Sequence, residues 1–220
     1  MSAYSGPEIV EDGLVLCLDA ANPKSYPGTG TTWFDLSGSG NNGTLVNGPV
    51  YSSANGGVIE FDGADDYVSL PNSLGYTTSV SAFAWIKTDG SPSGGFHIVF
   101  GGQQLEISIP TSGELRTGVT TNARYVNNLG SGLVDGNWHQ IGFTFSGTTK
   151  TAYIDSVSVG TQTTAGTLTS SFSSRTMGRF GSSTAYEMNG FISDAKIYNR
   201  ALTANEIQQN FNATKSRYGV

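Results

Sequence analysis

A chain of 220 residues with a formal net charge of −6 and 13% charged residues buries roughly 70% of its unfolded surface around one core, with no need of a disulfide or a structural metal. Its 11 Lys and Arg are scattered, which excludes the cationic patch that neutralises a nucleic-acid backbone or grips an anionic bilayer. The 30 glycines, with abundant Ser, Thr and Asn, exclude a helical bundle and point to short β-strands joined by turns.

Residues 1–12 carry neither the basic segment nor the apolar run of a secretory leader, and no later stretch approaches the ~18 apolar residues of a membrane span. The expectation is a chain made in the cytosol without a signal peptide, which works there or leaves within an assembled particle. Residues 1–12 read as an N-terminal arm whose Pro7-Glu8-Ile9-Val10 segment is suited to docking on another subunit. Residues 13–220 read as one domain, since neither an internal repeat nor a Pro-rich linker divides them.

Period-two alternation marks strands with one buried face. It predicts strands over 13–19, 44–51, 57–62, 66–70, 79–88, 96–101, 105–109, 114–120, 137–146, 150–160, 175–179 and 189–199, enough for two sheets. Cys17, the single cysteine, reads as a small buried apolar side chain in the first of these. The run from Ser79 to Lys87 is apolar on both faces and is predicted to be central. From Trp138 to Phe145, His139, Ile141, Phe143 and Phe145 share the core-facing side, while Trp138, Gln140, Gly142 and Thr144 share the other. Residues 37–43 and 130–137 hold the Gly, Asn, Asp and Ser of turns. At 203–217 the period changes. Thr203 and Glu206 have capping-box spacing, and Ile207 and Phe211 lie four apart, so a short amphipathic helix closes the chain. The whole is an all-β, antiparallel two-sheet sandwich with one C-terminal helix.

The densest chemistry is Glu60-Phe61-Asp62-Gly63-Ala64-Asp65-Asp66, four carboxylates about a glycine turn. Two readings fit. Converging oxygens suit a hard cation such as Ca²⁺, and an acidic turn whose Asp side chains cap their own backbone amides needs no ion. A glycosidase needs two acids facing across a sugar cleft; here the acids crowd one turn, and Glu106, Glu114 and Asp155 stand alone. His97 and His139 lie beside aromatics in strand patterns and read as structural, with no nucleophile elbow or Ser-His-Asp order nearby. Trp33, Tyr51, Tyr76, Tyr125 and Tyr186 lie near polar turns, where an aromatic face stacks on a sugar ring while Asn and Asp take its hydroxyls. Trp85 and Trp138 read as packing.

Several segments together resemble the concanavalin A-like, laminin-G-like (LamG, pentraxin-related) jelly-roll superfamily, in the form common in phage and bacterial surface proteins. They are Gly13-Leu14-Val15-Leu16-Cys17-Leu18-Asp19 with Trp33, Phe61-Asp62-Gly63-Ala64-Asp65-Asp66-Tyr67-Val68, Phe83-Ala84-Trp85-Ile86, Asp135-Gly136-Asn137-Trp138-His139, Tyr153-Ile154-Asp155, and Gly190-Phe191-Ile192 through Ile197-Tyr198-Asn199-Arg200-Ala201-Leu202. The resemblance implies two curved sheets, a Ca²⁺ at one rim, and a binding module for glycans or protein surfaces. It places Asp62, Asp65 and Asp66 at the family's acidic rim turn. At Ser193-Asp194 the chain departs from the many members with an acid at the first position, and Asp194 is the fourth candidate ligand. At Asp155-Ser156 a serine replaces the usual hairpin glycine.

The expectation is a lectin-like adhesion module without catalysis, displayed on a phage virion as a capsid decoration or tail protein and multimeric on the particle. The alternative is a virion component that contacts other virion proteins and has no glycan affinity. Glycoside hydrolysis is a distant third.

Overall fold

The structure, a computed structural model, describes residues 8–88, 90–92, 94–102, 105–119, 129–163, 168 and 175–220. In chain order the strands are β1 (Leu14–Asp19), β2 (Thr32–Trp33), β3 (Gly43–Val46), β4 (Val50–Ser52), β5 (Val58–Asp62), β6 (Tyr67–Leu70), β7 (Ser79–Lys87) and β8 (Phe96–Gly101). They continue with β9 (Glu106–Pro110), β10 (Arg116–Gly118), β11 (Trp138–Ser146), β12 (Thr149–Ile154), β13 (Val157–Thr163), β14 (Arg175–Met177) and β15 (Asn189–Tyr198). A helix, α1 (Ala204–Thr214), and a 3₁₀ turn over Lys215–Arg217 follow.

All pairings are antiparallel. One sheet runs β13-β12-β11-β7-β15-β5-β4, with β1 also on β15, and the other runs β10-β9-β8-β14-β6-β3-β2. The sandwich predicted from alternation is therefore the fold. Between the sheets lies one apolar core that includes Ile141, Phe143 and Phe145 of β11, Ala82 and Ala84 of β7, and Ile107 and Ile109 of β9. Lys150 of β12 reaches across the layers, its Nζ donating to the Thr117 carbonyl of β10 at 2.7 Å. Burial pulls this ammonium down to about 8 against the opposing field of Glu106, because a charged group loses hydration there.

Two predicted strands are each a pair. The run 44–51 divides into β3 and β4, which belong to different sheets, since Asn47 and Gly48 have φ of 69° and 119° and carry the chain across the edge. The run 150–160 is the hairpin of β12 and β13, turned at Asp155 and Ser156 with φ of 50° and 67°. Successive left-handed residues match the twist of a two-residue hairpin even without glycine.

Strands β7 and β11 bury both faces because α1 and the chain end cover the outside of their sheet. Trp85, fully buried, stacks on Tyr218 at 4.1 Å and Phe211 at 5.4 Å between ring centroids. Its indole N–H donates to Thr214 Oγ1 at 2.8 Å. Each such ring pair adds ~0.5–1.5 kcal/mol beyond the area it buries. The helix opens with the predicted capping box between Thr203 and Glu206, and Arg200 grips Glu206 at 2.6 and 3.0 Å. That grip, with the Thr203 contacts, holds the Glu206 carboxyl down at about 2.

The described part of the N-terminal arm lies on the chain's own helix. The Val10 N–H donates to Asn210 Oδ1 at 2.8 Å, the Tyr198 hydroxyl to the Val10 carbonyl at 2.9 Å, and Gln209 Nε2 to the Glu8 carbonyl at 2.7 Å. Cys17 is buried, and burial above all pushes its thiol up to about 12, so it stays protonated and inert at neutral pH. Among the described residues no helix is long and apolar enough to cross a membrane.

Candidate functional site

At one end of the sandwich β5 finishes at Asp62, paired with Asn189 at the start of β15. Gly63, with φ of 76°, then turns the chain. A side chain there would also collide with Asn189, whose Cβ lies 2.9 Å from where a Cβ would stand. Asp62 Oδ1 accepts from the Ala64 N–H at 2.8 Å, and Asp66 Oδ2 accepts from the Asp62 N–H at 3.2 Å. Asn47 Nδ2 adds a bond to the Asp65 carbonyl at 3.0 Å. The loop is fixed in part by its own acids. One carboxylate oxygen from each of Asp62, Asp65 and Asp66 lies within 4.8 Å of the others.

Asp62 and Asp65 are exposed and Asp66 is buried. Burial, joined by the fields of Asp62, Asp65 and Glu60, raises the Asp66 carboxyl above its ordinary range. A fourth acid, which alternation in the sequence did not single out, belongs to the same neighbourhood. Glu187 has no exposed surface, and neither of its carboxylate oxygens has a hydrogen-bond partner among the described residues. Burial pushes its pKa up; Arg179 pulls it down, and the fields of Asp65, Asp62 and Asp66 push it up again. Arg179, its bridge partner across the loop, is turned onto the Tyr67 ring at 3.7 Å. An unpaired buried carboxylate costs several kcal/mol as an ion. Glu187 feels the fields of the three aspartates but does not share their cluster; a hard cation would relieve the three aspartates, and an all-oxygen donor set is the kind that Ca²⁺ takes. The residues fit the ion.

Next to Glu187, Tyr186 is 38% exposed and meets the Phe96 ring edge-on at 5.8 Å. The Arg116 guanidinium lies over the Phe96 ring at 4.7 Å. This gives the acidic rim one accessible aromatic face, held in place by its neighbours.

The other expected ligand residues do not gather here. Trp33 and Tyr76 have no exposed surface, so they offer no face to a sugar; turns flank them in sequence, but their side chains point into the core. Tyr51 is half-buried on β4 against Tyr26, at 5.3 Å. Tyr125 lies outside the described residues. Asp194 does not join the turn either. It sits five residues along β15 from Asn189, about 15 Å at the rise of a strand, buried and ion-paired with Lys196. Its partner across the ladder is Asp19.

Both histidines are structural in their contacts. His97 is buried, bonds the Gly90 carbonyl through Nε2 at 3.1 Å, and accepts the Asn189 N–H at 3.3 Å. His139 donates through Nδ1 to Asp155 at 2.7 Å and stands 3.4 Å from Asp135. The Asp155 bond is the main reason its pKa is raised.

A family model described as the concanavalin A-like lectin/glucanases superfamily matches residues 62–208. No curated protein matches the sequence. The fold is similar to the binding domain of Paraclostridial mosquitocidal protein 1, with a TM-score of 0.69 and 16% identity, covering 92% of this chain and 52% of that one. It is similar to domain 4 of AbnA, an extracellular arabinanase from Geobacillus stearothermophilus in complex with arabinotriose, with a TM-score of 0.69 and 18% identity, covering 92% of this chain and 100% of that one. It is also similar to Trypanosoma rangeli sialidase in complex with sialic acid, with a TM-score of 0.70 and 17% identity, covering 93% of this chain and 33% of that one. The chain thus spans about half of the mosquitocidal structure and a third of the sialidase. At these identities the likeness is one of fold.

Proposed function

This chain belongs to the concanavalin A-like lectin/glucanases superfamily, and we propose that it is a non-catalytic module that binds carbohydrate at the rim where β5, β6 and β15 meet. One observation carries the reading: an exposed aromatic, Tyr186, stands beside a turn of three convergent carboxylates backed by Glu187, unpartnered among the described residues. Tyr186 supplies the face for a sugar ring, and the acids with Asn47 and Asn189 supply acceptors and donors for hydroxyls. Asp62, Asp65 and Asp66 would hold Ca²⁺, which when bound neutralises the turn and offers sugar oxygens a hard Lewis acid. The arabinotriose seen with the AbnA domain supports carbohydrate as the ligand class. The three clustered acids spring from a single turn, so no glycosidic bond passes between two opposed carboxylates as hydrolysis requires.

A site with one accessible aromatic binds weakly alone. On this reading the module works in many copies on a phage virion or a comparable surface, where linked sites raise avidity by ~10²–10⁴.

The test is a glycan array probed with the purified chain in Ca²⁺ and again in EDTA, with Tyr186→Ala beside it. Saturable binding that EDTA and Tyr186→Ala each abolish is the expected result. Binding that survives EDTA retires the ion, and binding that survives Tyr186→Ala retires this rim. No binding to any glycan in either buffer overturns the reading in favour of a virion component that contacts only other proteins.

A further inference from the structure

Away from the rim, on the outside of the larger sheet, a cavity of about 540 Å³ opens between edge strand β1, the end of α1 and the arm, within the range of small-molecule sites. Its floor holds two ion pairs side by side. Arg217 Nη1 bonds both oxygens of Asp19 at 2.8 and 2.9 Å, and Lys196 bonds both oxygens of Asp194. Both acids and Lys196 are buried. Ile9 and Leu36 form apolar parts of the wall, and Leu36 is exposed.

Two features define the ligand. The floor carries two positive and two negative charges, and Glu8 and Glu11, which also line the cavity, are exposed carboxylates whose solvated charges act only weakly, so a group with a formal charge gains little. Hydrogen-bonding capacity is nonetheless left over. Among the described residues Arg217 uses only Nη1 on Asp19, which leaves the N–H groups of Nε and Nη2 to donate; Asp19 Oδ1 also accepts the Ala21 N–H at 3.0 Å, so Oδ2 is the oxygen with acceptor capacity left over. Donors and acceptors packed together suit a group that is both, which is the hydroxyl. The hydrocarbon wall suits the C–H face of a ring.

We propose that this cavity is a second ligand site, independent of the rim, that takes a neutral polyhydroxylated ring compound such as a short neutral oligosaccharide. The ligand places hydroxyls on Arg217 and Asp19 and lays its apolar face against Ile9 and Leu36.

Titration of the isotope-labelled chain with cellobiose, maltose and lactose, followed by amide chemical shifts, tests this. Acetate and ethylammonium run alongside as charged probes of similar polarity. The expected result is saturable shifts at Cys17, Asp19, Ala213 and Arg217 with at least one disaccharide, and none there with the charged probes. Ala213→Phe fills space from the half-buried helix face that lines the cavity. It is expected to abolish those shifts while the variant's spectrum stays folded and any rim titration at Ala64 and Tyr186 persists. No cavity shift with any disaccharide overturns the proposal, as do equal shifts with the charged probes or unchanged titration in Ala213→Phe. Rim shifts alone overturn it while leaving the rim reading intact.

Discussion

Replacing Lys196 by Met removes the only cation among the described residues that is bonded to Asp194, a side chain almost without exposed surface. Burial by itself lowers an ammonium's pKa, yet the field of Asp194, helped by its neighbours, lifts that of Lys196 above its ordinary value. Burial raises the Asp194 carboxyl too, but Lys196 Nζ bonded to both of its oxygens holds the pair as ions. Removing one member of a buried pair costs ~3–5 kcal/mol, because the other is left charged and dry. Arg217 also feels Asp194 but is bonded to Asp19. It offsets only part of the loss, which sets the expectation near the lower bound of about 3 kcal/mol. In a chain of this length each kcal/mol moves Tm by about 2–4 °C, so Tm falls by about 6–12 °C. Removing both charges in Lys196→Met with Asp194→Leu leaves no orphaned ion and restores at least ~2 kcal/mol. Urea unfolding followed by tryptophan fluorescence, with linear extrapolation, measures all three proteins. A single variant that loses less than ~1 kcal/mol, or a double variant no more stable than the single, refutes the coupled pair.

Three further outcomes are expected. At a hundredfold excess over its Kd, Ca²⁺ stabilises the fold by ~2.7 kcal/mol, a rise of about 5–11 °C in Tm, and Asp65→Asn removes most of that rise in a thermal-shift assay; an undiminished rise would place the ion elsewhere. His139, its pKa raised by Asp155, gives stability that is fully present below its unfolded pKa of 6.5 and is lost as pH rises through the higher folded value. Asp155→Asn should flatten that segment of the stability–pH curve measured by urea midpoints, and an unaltered slope would contradict it. Thr203→Ala, which removes the hydroxyl that caps the Glu206 N–H, should cost ~1 kcal/mol, read as a lower urea midpoint at unchanged m.

The sandwich and the closing helix were legible because their signals are local: strand alternation, turn residues at the ends, Thr203 and Glu206 three apart. What sequence alone hid depends on distant partners. Nothing near Trp138 shows that Tyr218, at the end of the chain, packs on it, and the burial of Gln140 and Thr144 on the same face of β11 is equally silent in the sequence. Asp155-Ser156 lacks the glycine that marks a two-residue hairpin, and β12 and β13 read as one strand. Trp33 and Tyr76 stand among turn residues, and only the three-dimensional path shows their rings directed inward. The acidic turn was visible as a cluster, but Glu187 lies more than a hundred residues further on. Its one signal, the nearby Asn189 that pairs with Asp62, exists only once the register of β15 on β5 is known.

That register also fixes how the domain is held. From Asn189, level with the acidic turn, to Tyr198, whose hydroxyl ties down Val10, β15 climbs nine residues, roughly 30 Å at strand rise. The described start of the chain is thus fastened at the far end of the strand from the rim, and the C-terminal segment packs on the outer face of the same sheet through Phe211 and Tyr218. Anything joined to Glu8 pulls on that helix-covered side. Force applied at Glu8 is borne first by the contacts of the arm with α1 and β15, at the opposite end of β15 from the acidic turn.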